Sequence, residues 1–251
     1  MDIALDMHTH TIVSGHAYST IREMMRAASE KSLKLLGITE HGPTIPGACH
    51  PIYFCNLRVV PRQMYGVELM LGAEVNITDY RGKLDLPDDT IDKLDVRIAG
   101  LHAPCIQPGT LEQCTAAVAA AMKNPRIDII SHPDDGQFPL DYAYLVQLSK
   151  EQRTLLEVNN NSLNPVVPRR NTRSNCLKML ALCKKYQTPV IIGSDAHVDA
   201  DVARCDFAMD VLREADFPEA LVVNRSAEAF KAFLAENRAR ERRILRTAQS
   251  A

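Results

Sequence analysis

Little in this sequence points toward a polymer, a membrane or an oxidising compartment. Its 251 residues carry 29 Lys+Arg against 31 Asp+Glu, a formal charge of -2. No global field therefore draws a polyanion, and the broad basic face of a nucleic-acid binder is missing. No apolar run approaches the roughly 20 residues that a membrane span needs. The start, Met1-Asp2 and on to Asp6, has neither the cationic head nor the long apolar core of a secretory signal. Seven cysteines (Cys49, Cys55, Cys105, Cys114, Cys176, Cys183, Cys205) are odd in number and form no C-x-x-C pair, the pattern of reduced thiols. The expected compartment is the cytoplasm. Also lacking are the glycine fingerprint of a dinucleotide fold, a P-loop and a G-x-S-x-G nucleophile elbow. Cys105 is the one cysteine close to a strand-end histidine, so covalent catalysis has little to stand on.

What is present is an ordinary globular composition, 46% hydrophobic and 24% charged, at a length that suits one α/β barrel of roughly 250 residues. One domain over 1–251 is the expectation. Strand-like runs at 3–7, 35–39, 69–77, 96–101, 127–130, 155–158 and 190–192 alternate with helical stretches, the signature of parallel βαβ units. Thr20 with Glu23, and Thr110 with Gln113, read as capping boxes opening two of the helices. Further helices are expected near 142–150, 174–186, 202–215 and, after a Ser226 cap, 227–243. The proline-rich stretch 42–66 reads as a long loop, and 220–223 as a short eighth strand or an extended link. Seven or eight such units favour a closed barrel over an open sheet. The arginines of the tail, Arg238, Arg240, Arg242, Arg243 and Arg246, read as the solvated face of a last helix.

The polar residues fall in a pattern. His8 and His10 end the first strand with His16 just beyond, His41 ends the second, and Glu74 lies on the third. His102 and His132 end the fourth and fifth, and Asp195 and His197 follow the seventh. Seven of the eight histidines thus sit at or just past strand C-terminal ends, which in a barrel converge on the face where active sites are built. Only His50 is left over, in the proline-rich loop. An extended backbone sends residues i and i+2 to one side, so His8 with His10, and Asp195 with His197, can reach a common ion. Imidazole with carboxylate suits zinc, manganese or iron rather than calcium. The set exceeds what one zinc takes and suffices for two ions, or for three if Glu74 bridges.

In order, Asp6-Met7-His8-Thr9-His10, His16, Ile38-Thr39-Glu40-His41, Gly72-Ala73-Glu74-Val75-Asn76, Ser131-His132-Pro133 and Gly193-Ser194-Asp195-Ala196-His197 resemble the motifs of the polymerase and histidinol phosphatase (PHP) family. Leu156-Glu157-Val158-Asn159-Asn160 and the overall length resemble most closely its stand-alone YcdX-type phosphatases. The resemblance spans about residues 3–235 and implies a distorted seven-stranded (β/α) barrel, TIM-like, holding three divalent metals per subunit, usually zinc, with manganese or iron as alternatives. The ligands it implies are His8, His10, His16, His41, Glu74, His102, His132, Asp195 and His197. The implied grouping is His8, His10, Glu74 and Asp195 on one ion, Glu74, His102 and His132 on a second, and His16, His41 and His197 on a third. Family members of this type also assemble as homo-oligomers, trimers among them.

The activity so implied is hydrolysis of a small phosphomonoester by a metal-bridging hydroxide. Asp195 and Glu74 would be the catalytic carboxylates, with Asp195 taking a proton from the water. Arg169 and Arg170, in the loop after the sixth strand, can grip the phosphate. Asp6, Asn159 and Ser194 can orient ligands. Three alternatives stay open. An amidohydrolase-like hydrolase commonly needs a strand-end lysine, and none is seen here. A nuclease acting on short oligonucleotides would share the motifs. A non-catalytic metal-binding module would more readily have lost some of the nine ligand types.

Overall fold

Side-chain direction along seven parallel strands determines where the chemistry of this chain collects. The computed structural model describes residues 1–249. The strands are β1 (Leu5–Asp6), β2 (Leu35–His41), β3 (Gln63–Met64), β4 (Val67–Asn76), β5 (Val96–Gly100), β6 (Ile129–Ile130), β7 (Leu155–Asn159) and β8 (Val190–Gly193). They are ordered β1-β2-β4-β5-β6-β7-β8, all parallel, with β3 antiparallel to β4. Around them run α1 (Ile21–Glu30), α2 (Ile52–Asn56), α3 (Asp88–Ile91), α4 (Leu111–Lys123), α5 (Tyr142–Gln152), α6 (Thr172–Tyr186), α7 (Asp206–Glu214) and α8 (Ala227–Gln249). The seven-stranded barrel expected from the sequence is the fold.

Alternation sorts each strand into two faces. Leu36, Ile38, Leu69, Leu71, Ala73, Ala99, Leu156, Val158 and Ile192 face outward and pack with the surrounding helices. Leu35, Val96, Ile98, Ile129, Leu155 and Ile191 fill the barrel interior together with Leu5 and Met7. Continuing the inward series of β4 from Met70, of β5 from Ile98, of β7 from Leu155 and of β8 from Ile191 by two or four residues reaches Glu74, His102, Glu157 and Asp195 at the C-terminal rim. The other end is plugged by α8, whose Phe230 and Leu234 are buried against the interior cluster.

Strand β8 does not form a ladder with β1. A short segment closes the gap instead. Asn224, fully buried, donates through Nδ2 to the carbonyls of Leu5 (3.1 Å) and Ile192 (2.8 Å) and accepts from the Ile192 amide (2.7 Å). One amide side chain thus does the bonding of a missing strand. The stretch 220–223 is accordingly not an eighth strand; it is 3-10 turns (Glu219–Leu221, Val223–Arg225) with one bridge, Val190 to Val222. At the rim the seam is drawn together by Asp195 N to His8 O (2.9 Å) and His10 N to Ala196 O (2.8 Å).

Both expected capping boxes form, Thr20 with Glu23 and Thr110 with Gln113. Three readings need correction. The stretch 42–66 contains α2 and the β3–β4 hairpin, whose Tyr65-Gly66 turn has positive φ at both residues (52° and 79°), the geometry that matches strand twist. Helix α7 begins at Asp206 rather than 202, because Ala203 takes a left-handed φ of 59° and its amide bonds to Asp6 Oδ2 (2.9 Å). The tail arginines are not all solvated. Arg238 makes paired bonds to the buried Asp128 (2.8 and 2.6 Å), Arg240 bonds to Gln152, and Glu241 pairs with the buried Arg97 at 2.7 Å. These bonds fasten α8 under the barrel.

Candidate metal centre

Glu74 stands at the middle of the rim. Its Oε1 accepts from Ser131 Oγ (2.6 Å) and lies 2.9 Å from His132 Nε2 and 3.2 Å from His102 Nε2. Its Oε2 faces His41 Nδ1 (2.9 Å), His8 Nε2 (3.3 Å) and His10 Nε2 (3.6 Å). Asp195 closes the other side, its Oδ1 3.5 Å from His10 Nε2, 3.6 Å from His8 Nε2 and 3.5 Å from His197 Nδ1. His16 completes the set with Nε2 3.1 Å from His197 Nε2. All nine candidate ligands named from the sequence meet in one cluster, while His50 is exposed and elsewhere.

The donors overlap in threes: His8, His10 and Glu74; His41, Glu74 and His102; and His10, His41 and His197, with ligand atoms in each triple within 4.8 Å of one another. His41 stands at the junction, its ring stacked between those of His10 (4.2 Å) and His16 (4.9 Å). His132 and Asp195 both hold positive φ (29° and 55°), a backbone cost commonly met at functional sites.

Can these residues hold cations? Buried Glu74 Oε2 and His41 Nδ1 lie close but out of line, and neither has a hydrogen-bond partner among the described residues. His8 Nε2 and His10 Nε2 are turned toward one point, 3.1 Å apart. Buried acceptors that converge on one another without enough protons between them are costly unless a cation joins them. Charge tells the same story. Burial alone would raise the Glu74 carboxyl, yet His8, His102 and His41 hold it well below the usual range. Asp195 is likewise depressed against its burial, by His8, His10, Arg169 and His197. Burial, and then the neighbouring His41 and His197, push His10 and His16 down, and burial lowers His102. These rings therefore favour the neutral form that ligates metal. His8 is the exception. Its burial is outweighed by Glu157, Glu74 and Asp195, which favour a positive charge at that point. The donor set fits divalent transition metals.

A family model, the PHP domain, matches residues 6–247. The chain belongs to the PHP family. It is 44% identical over 234 residues to a "probable phosphatase" of Clostridium novyi (strain NT), covering 93% of this chain and 95% of that one. A "probable phosphatase" of Acetivibrio thermocellus is 42% identical over 243 residues, 97% and 100% of the two chains. Among solved structures, a histidinol phosphate phosphatase of Lactococcus lactis, complexed with zinc, L-histidinol and phosphate, superposes with a TM-score of 0.59. It is 17% identical and covers 86% of this chain and 94% of its own, so the likeness is one of fold.

Two carboxylates of this PHP chain escaped the reading of site residues. Glu157 Oε1 accepts from His8 Nδ1 at 2.7 Å, and its Oε2 accepts from the His132 amide (2.8 Å) and Asn159 Nδ2 (3.0 Å). It thereby presents His8 Nε2 toward the cluster. The signal was available: Glu157 shares the inward face of β7 with Leu155 and Asn159. A Cβ on Gly193 would come within 1.9 Å of Glu157 Oε1, so only glycine leaves room for that carboxylate. Glu40, fully buried, accepts from Ser14 Oγ (2.6 Å), and Ser14 Oγ in turn accepts from the His41 amide (3.0 Å) and contacts His10 Nδ1 (3.1 Å).

The two loop arginines part company. Arg169 lines the cavity, with Nη2 3.3 Å from Asp195 Oδ2 and Nη1 3.4 Å from Asn159 Oδ1. The Arg170 side chain is exposed and outside the cavity lining; its backbone bonds to Gly136 and Asp135. Asn159 reaches Asp195 Oδ2 at 3.3 Å. Asp6 and Ser194 act on the backbone instead. Asp6 Oδ1 accepts from the His8 and Ser194 amides, and Ser194 Oγ donates to the His8 carbonyl.

Proposed function

We propose that this PHP-family phosphatase hydrolyses a small phosphomonoester at a centre of three divalent ions, zinc first among them. The observation that carries the reading is the meeting of seven imidazoles around Glu74 and Asp195, five of them lining a cavity of about 600 Å³ with Asp195 while His8, His10 and Glu74 are buried beside it. The distances support His8, His10, Glu74 and Asp195 as holding one ion and Glu74, His102 and His132 a second. His16 and His197, with His41 stacked beside them, would hold the third. When bound, such ions acidify water and neutralise phosphate oxygens as charge shifts toward the leaving alcohol.

The chain's own residues do the rest. Glu74 spans two of the groups, so its two oxygens fix their separation. Asp195, kept ionised, orients the attacking water and takes its proton. Arg169 is held at the cavity wall by Asp195 and Asn159, where its planar guanidinium can pair with two phosphate oxygens. Its counterpart Arg170 has no such place, and phosphate binding is proposed for Arg169 alone.

The test is hydrolysis of p-nitrophenyl phosphate by the purified chain alongside elemental analysis. We expect transition metal at about three per chain by this ligand count, turnover abolished by chelation and restored by added zinc or manganese, and no measurable turnover in Asp195→Ala. Turnover that survives both chelation and Asp195→Ala, or protein purified free of transition metal that is still active, would overturn the reading. Activity on an ester or amide but not on a phosphate would favour the amidohydrolase alternative.

A further inference from the structure

Five of the clustered histidines (His16, His41, His102, His132 and His197) line one wall of the cavity with Asp195, and the remaining walls combine the polar Asp135, Gln137 and Asn161 with an apolar set. Ile45 and Pro46 come from the loop after β2, Ala103 and Pro104 from the loop after β5, and Val167 and Pro168 from the loop after β7. A volume of about 600 Å³ far exceeds what a phosphate group needs and falls within the roughly 300–1,000 Å³ range of pockets that engulf whole organic ligands. Among the described residues that line it, Arg169 is the one lysine or arginine, and its guanidinium leans on Asp195 at the metal-centre side.

Resting on the phosphatase reading above, we propose that the substrate is a monophosphate whose alcohol part is an uncharged, apolar-faced group of about ring size. The three loop pairs are then the walls that select it. Burying an apolar face against proline, isoleucine and valine is favourable, and these stiff side chains lose little freedom in receiving it. The walls are formed in advance. Thr44 N bonds to Asp85 Oδ2 (3.0 Å) beside Ile45, and Ile45 N bonds to Gly42 O (3.3 Å). Ile106 and Cys105 both donate to His102 O (3.1 and 2.8 Å), and Val167 N bonds to Asn164 O (3.0 Å).

The same walls reject other phosphates. A second phosphate would meet prolines and the buried Asp135, with the neutral Gln137 and Asn161 but no further lysine or arginine to pair with. A bisphosphate or an oligonucleotide is therefore disfavoured. A short polyol phosphate would leave the apolar walls uncovered, with Gln137, Asn161 and Asp135 as the polar partners for its hydroxyls.

The test uses the metal-loaded full chain with esters of primary alcohols, so that the leaving groups are alike in chemistry: ethyl phosphate, 2-phenylethyl phosphate, glycerol 1-phosphate and butane-1,4-diol bisphosphate. Competition by ethylphosphonate and 2-phenylethylphosphonate against p-nitrophenyl phosphate reads binding without turnover of the probe. We expect 2-phenylethyl phosphate to be preferred by roughly tenfold or more in kcat/KM, with the phosphonates following the same order. Val167→Asp, and separately the exposed-wall change Pro104→Glu, should erase most of that ratio. Equal kcat/KM across the esters, preference for the glycerol ester or the bisphosphate, or a ratio untouched by both variants overturns the pocket assignment while leaving the phosphatase reading standing. Failure of every ester, p-nitrophenyl phosphate included, removes the phosphatase reading and this inference with it.

Discussion

The bond from His8 Nδ1 to Glu157 Oε1 at 2.7 Å decides which nitrogen of His8 is free to ligate. Removing the charge while keeping the shape tests this. Glu157→Gln should weaken metal binding by roughly 10–100-fold, measured by competition with a chromogenic chelator, with little change in circular dichroism. A second residue-scale prediction concerns Asp134, buried beside Ser162, with one carboxylate oxygen unpartnered among the described residues. Burial raises its pKa to about 7. The folded value lies above the unfolded one, so its contribution to stability is complete below about pH 4 and is lost as pH rises toward 7. Asp134→Asn should flatten that part of the profile. In urea unfolding of the metal-free protein, the difference in midpoint between pH 5 and pH 8 should be smaller for the variant than for the parent; an equal difference would refute the assignment.

At the scale of elements, the weak point of the barrel is the seam between β1 and β8, where Asn224 makes three hydrogen bonds that a strand would otherwise supply. Asn224→Ala leaves buried backbone groups of Leu5 and Ile192 unpaired, at a cost of about 2–4 kcal/mol. Because those strands lead to His8 and Asp195, the variant should also lose metal affinity, and urea unfolding with and without added metal will read both effects. The helix starts were legible in advance because a capping box is a local device, as Thr20-Glu23 and Thr110-Gln113 show. The β3–β4 hairpin was not. Its Tyr65-Gly66 turn lacks the usual Asn-Gly or Asp-Gly pair, and its strand is two residues long.

For the whole molecule, the rim holds buried polar atoms without hydrogen-bond partners among the described residues, Glu74 Oε2, His41 Nδ1 and His102 Nδ1, while the plugged end is tied by Arg238–Asp128 and Arg97–Glu241. Bound metal should therefore add stability by mass action. At a free concentration a hundred times Kd, each site contributes about 2.7 kcal/mol, which for a chain of this size raises Tm by roughly 5–10 °C. Differential scanning fluorimetry before and after chelation measures it, and an unchanged Tm would argue that the cluster holds no ion in solution. No helix among the described residues is long and apolar enough to cross a membrane.

By itself, the sequence determined the succession of parallel strands and the types and order of the nine candidate ligands, because alternation and the strand-end position of each are local properties. Tertiary structure decided what depends on strands distant in the chain. It brought Glu157, 149 residues away, against His8, and gave Asn224 the work of a strand. It also separated Arg169, facing the cavity, from Arg170, facing solvent, and turned part of an apparently solvated arginine run into the fastening of α8. Each of these rests on which groups share a buried space, and burial is a property of the folded whole.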